Sequence, residues 1–170
     1  MGKVLNAFGY GYPGAITRSV DDIVISIRNA SAEDIPFGAP VFMTENGAVP
    51  FNLETPQEFA AFLGFAVRVS DKTPEEYPTG QLNDAGNAGE TGVWKAGDLM
   101  EVLVRGTIAL ASTVSGTRGG KLYIRKSDGK LTATAGASGS TILLENVRIR
   151  NPRAGWSSCC EAVVNKRNIL

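Results

Sequence analysis

The residue types that could do chemistry in this chain are few, and the missing type narrows the field most. Histidine is absent from all 170 residues. That excludes a Ser-His-Asp triad, a Cys-His dyad and a zinc site with imidazole ligands. The two cysteines, Cys159 and Cys160, are neighbours. Adjacent residues on an extended strand point to opposite faces, and a disulfide between them is strained. The pair therefore reads as two reduced thiols, one of them facing a core, which suits synthesis in a reducing compartment. Gly9-Tyr10-Gly11-Tyr12-Pro13-Gly14 formally matches G-x-G-x-x-G. A dinucleotide site of that kind needs a strand before it and a helix opening on it, because the pyrophosphate sits on the helix N-terminus. Here Pro13 and a following strand stand where the helix should be, so no nucleotide role is expected.

Four further patterns fall short in the same way. Gly116-Thr117-Arg118-Gly119-Gly120-Lys121 resembles part of a phosphate loop, but Ser115 holds the place of the first glycine and Leu122 that of the magnesium-binding hydroxyl. It reads as a turn before a strand. Asn83, Asp84, Asn87 and Glu90 offer oxygen ligands without the spacing of a calcium loop. Asp21-Asp22 and Glu75-Glu76 are sequence neighbours, whereas general acid/base work needs two carboxyls converging on one substrate. Arg148, Arg150, Arg153, Lys166 and Arg167 make the last quarter locally basic, with only Trp156 as an interleaved aromatic. A single-strand nucleic-acid binder needs more stacking surface than that, so this stretch reads as a solvated face or a docking face for an acidic protein. No catalytic centre, metal or cofactor is expected, and a binding or structural role is favoured.

Composition supports that direction. Lys plus Arg and Asp plus Glu each number 17, so the formal net charge is zero, and no bulk attraction to nucleic acid or acidic membrane is expected. No stretch approaches the 18 or so apolar residues of a spanning helix, and the first residues carry no apolar run of signal-peptide type. Glycine occurs 20 times, well above its usual share of about 7%, which implies many turns.

The elements that must hold these residues read mainly as strands. Ile23, Ile25 and Ile27 alternate with Val24, Ser26 and Arg28 in the period of a half-buried strand. Val41-Phe42-Met43, Phe65-Ala66-Val67-Arg68-Val69, Leu122-Tyr123-Ile124, Leu131-Thr132-Ala133-Thr134, Ile142 to Ile149 and Cys159 to Val164 follow. Asp98 to Leu110 is near-continuously apolar, which predicts burial on both faces, with a bulge or bend at Gly106. Asn46-Gly47 and Asp128-Gly129 mark tight turns. One short helix is predicted from Thr55-Pro56-Gln57-Glu58, with Phe59, Phe62 and Leu63 on one face. Residues 71–92 form a long polar excursion, and residues 1–19 an extended arm. Trp94 and Trp156 read as core plugs rather than binding anchors.

The fold class expected is mainly β: a compact β-barrel or β-sandwich of about eight short strands, with one short helix and the arm. Residues 20–170 would make one β-rich domain. A strand, polar residues and a turn recur at Gly38 to Gly47 and Gly120 to Gly129. This allows two related halves, 20–92 and 93–170, although hairpins in any all-β chain look alike.

Taken in order, the landmarks form a pattern. A Gly-Tyr-Pro-Gly arm with Arg18 precedes Pro36-Phe37-Gly38, Phe62-Leu63-Gly64-Phe65-Ala66-Val67-Arg68 and Tyr77-Pro78. Ala96-Gly97-Asp98, Val102-Leu103-Val104-Arg105-Gly106 and the Gly120 to Gly129 hairpin follow. This order resembles the structural cement, or capsid decoration, proteins of tailed bacteriophages over nearly the whole chain. The Gly64 to Arg68 and Leu103 to Gly106 segments are its most specific part, and the polar insertion around residues 79–92 is the departure. The resemblance implies a protein on the outer surface of the phage head, made in the host cytoplasm and bound to the assembled major capsid protein shell. It would clamp neighbouring subunits against internal DNA pressure. It also implies a homo-oligomer, a trimer more readily than a dimer, with no nucleic-acid or membrane partner. Tyr10, Tyr12, Pro13 and Arg18 are the residues expected to dock on capsid or on a sister subunit. Another virion component, such as a head fibre or tail part, and a carbohydrate-binding β-sandwich are the rival readings.

Overall fold

A computed structural model describes residues 13–54, 57–69, 92–111, 116–152 and 159–166, with the side chains of residues 19 and 20 excepted. The chain is built around one long strand. β1 (Ile16–Arg28) is followed by β2 (Ile35–Pro36), β3 (Pro40–Thr44), β4 (Gly47–Pro50) and β5 (Phe62–Ala66). After β6 (Val93–Trp94) come β7 (Leu99–Ala111), β8 (Lys121–Arg125), β9 (Leu131–Thr132), β10 (Thr141–Asn151) and β11 (Cys159–Val164). Nine of these form one antiparallel sheet in the order β4-β3-β5-β7-β11-β10-β8-β9, with β1 also paired to β7. The sheet curls into a half-barrel. β2 and β6 make a separate two-stranded pair. No helix among the described residues is long and apolar enough to cross a membrane.

The near-continuous apolar run of β7 does what such a run implies: it separates two cores. Leu103, Ile108 and Leu110 join Phe42, Phe62, Phe65, Leu122, Ile124, Leu144 and Ile149 in one cluster. Met100, Val102 and Val104 join Ile35, Phe37, Val41, Leu63, Ala66 and Trp94 in the other. Along a regular strand, alternate residues share a face, yet Leu103 shares its cluster with the even-numbered Ile108 and Leu110. The inversion falls at Gly106, whose φ of +125° is a left-handed conformation that side chains rarely adopt. The expected bend at Gly106 is therefore where the strand changes faces. Trp94 is a core plug, donating Nε1–H to the Val67 carbonyl at 2.9 Å and meeting the Phe37 ring edge-on at 6.0 Å. Trp156 lies outside the described residues.

Two expectations differ from the structure. Thr55 and Pro56 lie outside the described residues, and the chain beyond them forms one 3-10 turn, Phe59–Ala61, instead of a helix. Phe62 and Leu63 already belong to β5, and they bury in opposite cores. Their spacing from Phe59 is that of a turn feeding a strand, with the Phe59 and Phe62 rings stacked at 6.2 Å. Of the residues assigned to the expected arm, 13–19 belong to the folded body. Residues 1–12 lie outside the described residues, but Pro13 and Gly14 are buried. Gly14 donates its N–H to Ala109 at 2.8 Å and accepts one from Arg68 at 2.9 Å. From Ile16 onward the chain is strand, paired to β7.

Candidate functional site

The sites expected from the sequence divide between the described and undescribed parts of the chain. Tyr10 and Tyr12 fall among the residues not described, as do the possible calcium ligands of residues 83–90. Pro13 is buried by the chain's own residues. Arg18 is half exposed on β1, and the structure brings it to a centre that sequence reasoning missed.

That centre is Glu161 on β11, whose side chain is 2% exposed. It stands in the run Cys159-Cys160-Glu161-Ala162-Val163-Val164, where every other residue is apolar. Burying a carboxylate is costly unless it is paired and hydrogen-bonded, and here it is both. Oε1 accepts from the Thr17 hydroxyl at 2.7 Å and from Arg18 Nε at 3.1 Å. Oε2 takes a short hydrogen bond from Asn151 Nδ2 and lies 3.9 Å from Arg150 Nε. Burial on its own would raise this carboxyl's proton affinity. The hydrogen bonds from Thr17, Arg18 and Asn151 outweigh that and hold the group below its ordinary value.

Irregular strands aim these partners. In the β10–β11 pairing, Ile149 faces Ala162 and Asn151 faces Glu161, so Arg150 is an extra, bulged residue. In the β1–β7 pairing, Ile16 faces Ile108 and Arg18 faces Thr107, which leaves Thr17 extra. Bulges re-aim side chains in this way next to functional positions. A second irregularity carries β1 from Arg18 to Ile23 while β7 advances only from Thr107 to Arg105. The slack holds Asp21 and Asp22. Asp21 forms a short ion pair with Arg105, and Asp22 Oδ1 accepts the Thr107 N–H at 3.3 Å. Asp22 Oδ2 is buried without a hydrogen-bond partner among the described residues.

Two of the Glu161 partners, Arg18 and Arg150, also line an open groove of about 460 Å³, together with Arg105, Asp21 and Asp22. The rest of the basic stretch is used differently. Arg148 donates to the carbonyls of Glu145 and Val147, and Arg153 and Arg167 lie outside the described residues. Gly116 to Lys121 is the expected turn, with Arg118 donating to the Arg150 carbonyl at 3.1 Å and to Asn151 Oδ1 at 2.7 Å. Both cysteines are buried and unbonded to each other. Burial, and then the neighbouring Cys159, push the Cys160 thiol up to about 12. Among the described residues no three His, Cys, Asp or Glu side chains gather as a metal site would require. Along β1, Ile16, Ile23 and Val24 are exposed apolar residues.

The one missed residue had a signal: a lone acid in an otherwise apolar strand must find a partner. What the sequence does not carry is which one, since Arg18 is 143 positions away.

A family model described as structural cement protein (E217 gp24/Pam3 gp6) matches residues 3–162. A chain of the solved capsid of Myoviridae phage XM1 has a similar fold, with a TM-score of 0.67 at 15% identity over 96% of each chain. No curated protein matches the sequence. With its strands in place from β1 into β11 under that match, the chain belongs to the phage structural cement protein family, a family of capsid-associated structural proteins.

Proposed function

We propose that the protein binds the outer surface of the assembled major capsid protein shell and stabilises it against the pressure of packaged DNA. The family match over residues 3–162 carries this reading, because it runs from β1 into β11 rather than over one motif. The geometry is suited to the task. β7 pairs with β1, β5 and β11 in one sheet, and β1 exposes the apolar Ile16, Ile23 and Val24 on the same strand as Arg18, Asp21 and Asp22 of the charged groove. Tyr10 and Tyr12, close before Pro13 in the sequence, are the aromatic anchors this reading assigns to a capsid or sister subunit. A ligand that binds the assembled shell and not its free subunits stabilises assembly by mass action, about 2.7 kcal/mol per site at a concentration of 100 dissociation constants. Many sites per head multiply the effect.

The test is cosedimentation of purified protein with empty shells that lack it, run beside free capsid subunits, together with the mass of the protein in solution. Binding to shells alone, and a rise in shell melting temperature on addition, are expected. Equal binding to free subunits, or no binding to shells, would overturn the reading.

A further inference from the structure

We propose that the groove lined by Arg18 and Arg150 is a docking site for a single carboxylate side chain presented by a shell subunit, gripped by those two arginines. The proposal rests on the shell-binding reading above and gives it a partner chemistry.

One buried carboxylate holds two arginines. Glu161 accepts a hydrogen bond from Arg18 Nε at 3.1 Å and faces Arg150 Nε across an ion-pair distance of 3.9 Å. The Nη groups of both side chains take no other partner among the described residues, and 52% and 43% of the respective side chains remain exposed. A guanidinium tethered at Nε keeps its Nη donors for a second acceptor, and a carboxylate is the acceptor whose geometry matches them. Glu161 is thus a positioning residue. It fixes the orientation of two forks that would otherwise lose rotamer freedom on binding. The bulges at Thr17 and Arg150 aim both side chains at the same buried oxygen pair.

The walls decide the class of partner. Asp21 and Asp22 line the same groove, so a polyanion such as a nucleic-acid backbone meets repulsion a few residues from the arginines. One isolated carboxylate does not. The groove as a whole carries Arg18, Arg105 and Arg150 against Asp21 and Asp22, with Glu161 paired to two of the arginines. A protein surface with an acidic residue among neutral and basic neighbours complements that arrangement.

The experiment uses the full chain and empty shells, with wild-type cosedimentation measured first; absence of wild-type binding tells against the shell-binding reading itself. Arg150→Gln and Arg18→Gln should each weaken shell binding about tenfold or more, as loss of a charge-assisted hydrogen bond implies. Arg28→Gln, an exposed charge elsewhere on β1, should not. Arg150→Lys keeps a cation near Glu161 and so protects the fold, but lacks the fork; it should bind as weakly as Arg150→Gln. Shells whose surface carboxyls have been amidated should bind wild type and Arg150→Gln alike. Positioning by Glu161 is read from a triple variant: Glu161→Gln should weaken binding alone and add nothing on the Arg18→Gln/Arg150→Gln background, whereas a merely structural role would add its loss on either. Wild-type affinity in folded Arg18→Gln and Arg150→Lys, equal losses in Arg28→Gln, or a fall in the protein's own oligomeric mass in place of shell binding would overturn the proposal.

Discussion

Gly64 on β5 lies directly against the backbone of Leu103 on β7. A Cβ added at Gly64 would collide with the Leu103 carbonyl oxygen and come within 2.9 Å of its carbonyl carbon and 3.0 Å of Val102 Cγ1. The same two strands pair Phe65 with Leu103 and Ala66 with Val102. The two segments that most distinguish the chain in sequence, Gly64 to Arg68 and Leu103 to Gly106, are thus one contact in space. Gly64→Ala must push these strands apart. Overpacking typically costs about 1–3 kcal/mol, and a backbone obstacle cannot rotate away, so the upper end of that range is expected. The midpoint of urea denaturation measures it; an unshifted midpoint would show that β5 and β7 separate freely.

Gly106 has a similar relationship with Asp22. An added Cβ there would strike the Asp22 carboxylate, at a φ of +125° that side chains rarely adopt. Gly106→Ala is expected to destabilise through both strain and collision. Asp22→Ala removes the collision but also the bond to the Thr107 N–H. The double variant should therefore be more stable than the sum of the singles predicts, by about 0.5–3 kcal/mol, the usual coupling of residues in contact. Strict additivity in a double-mutant cycle would place Asp22 away from Gly106.

Much of this sheet was legible because its strands follow local rules. Cys159–Val164 is strand over the expected residues, Leu99–Ala111 is buried on both faces, and Gly47 and Gly129 take positive φ in the expected tight turns. What stayed hidden was set by distant partners. β2 and β6 are two residues each, too short for any period to show. The helix expected near residue 59 was a misread spacing, because Phe62 and Leu63 point into different cores that exist only once β7 lies between them. The Glu161 centre was hidden for the same reason, being assembled from β1, β10 and β11 across the whole length of the chain. The sheet order carries one further regularity. From each end inward it runs hairpin, strand, strand, meeting where β7 pairs with β11.

The Glu161 carboxyl sits below its ordinary value of 4.5 in the folded chain. A depressed folded value means that the unfolded chain binds the proton more tightly, so acid favours unfolding. The stabilisation is present above about pH 4.5 and is lost as the pH falls through the lower folded value. Glu161→Gln cannot titrate. Its melting temperature should fall less steeply than wild type between pH 5 and pH 3, even though it starts lower. Asp128, held low by Arg125 in an exposed turn, has the same sign but is common to both proteins. Parallel melting profiles would remove Glu161 from the acid response.

The Cys160 thiol, buried and pushed up to about 12, carries almost no thiolate at pH 8, and the thiolate is the nucleophile. Neither cysteine should react with a thiol reagent in the native protein at that pH, because both are buried. Both should react fully in denaturant. Rapid native labelling of either would show that β11 opens readily from β7.

The N-terminal segment yields the prediction that separates docking from folding. Gly14 is fixed by bonds to Ala109 and Arg68, and its Cα packs against Gly38, where an added Cβ would come within 2.9 Å of the Gly38 nitrogen. Pro13 is buried beside it. A deletion that reaches these residues removes part of the core and cannot report on binding alone. A deletion of residues 2–12 stops short of them. It removes Tyr10 and Tyr12, the aromatic anchors proposed for the shell, and aromatic anchors carry a disproportionate share of interface energy. The shortened chain should melt within a few degrees of wild type and lose about tenfold or more in shell binding, with Tyr10→Ala/Tyr12→Ala reproducing most of that loss. Undiminished occupancy on shells would leave docking to the folded body, and to the arginine groove in particular.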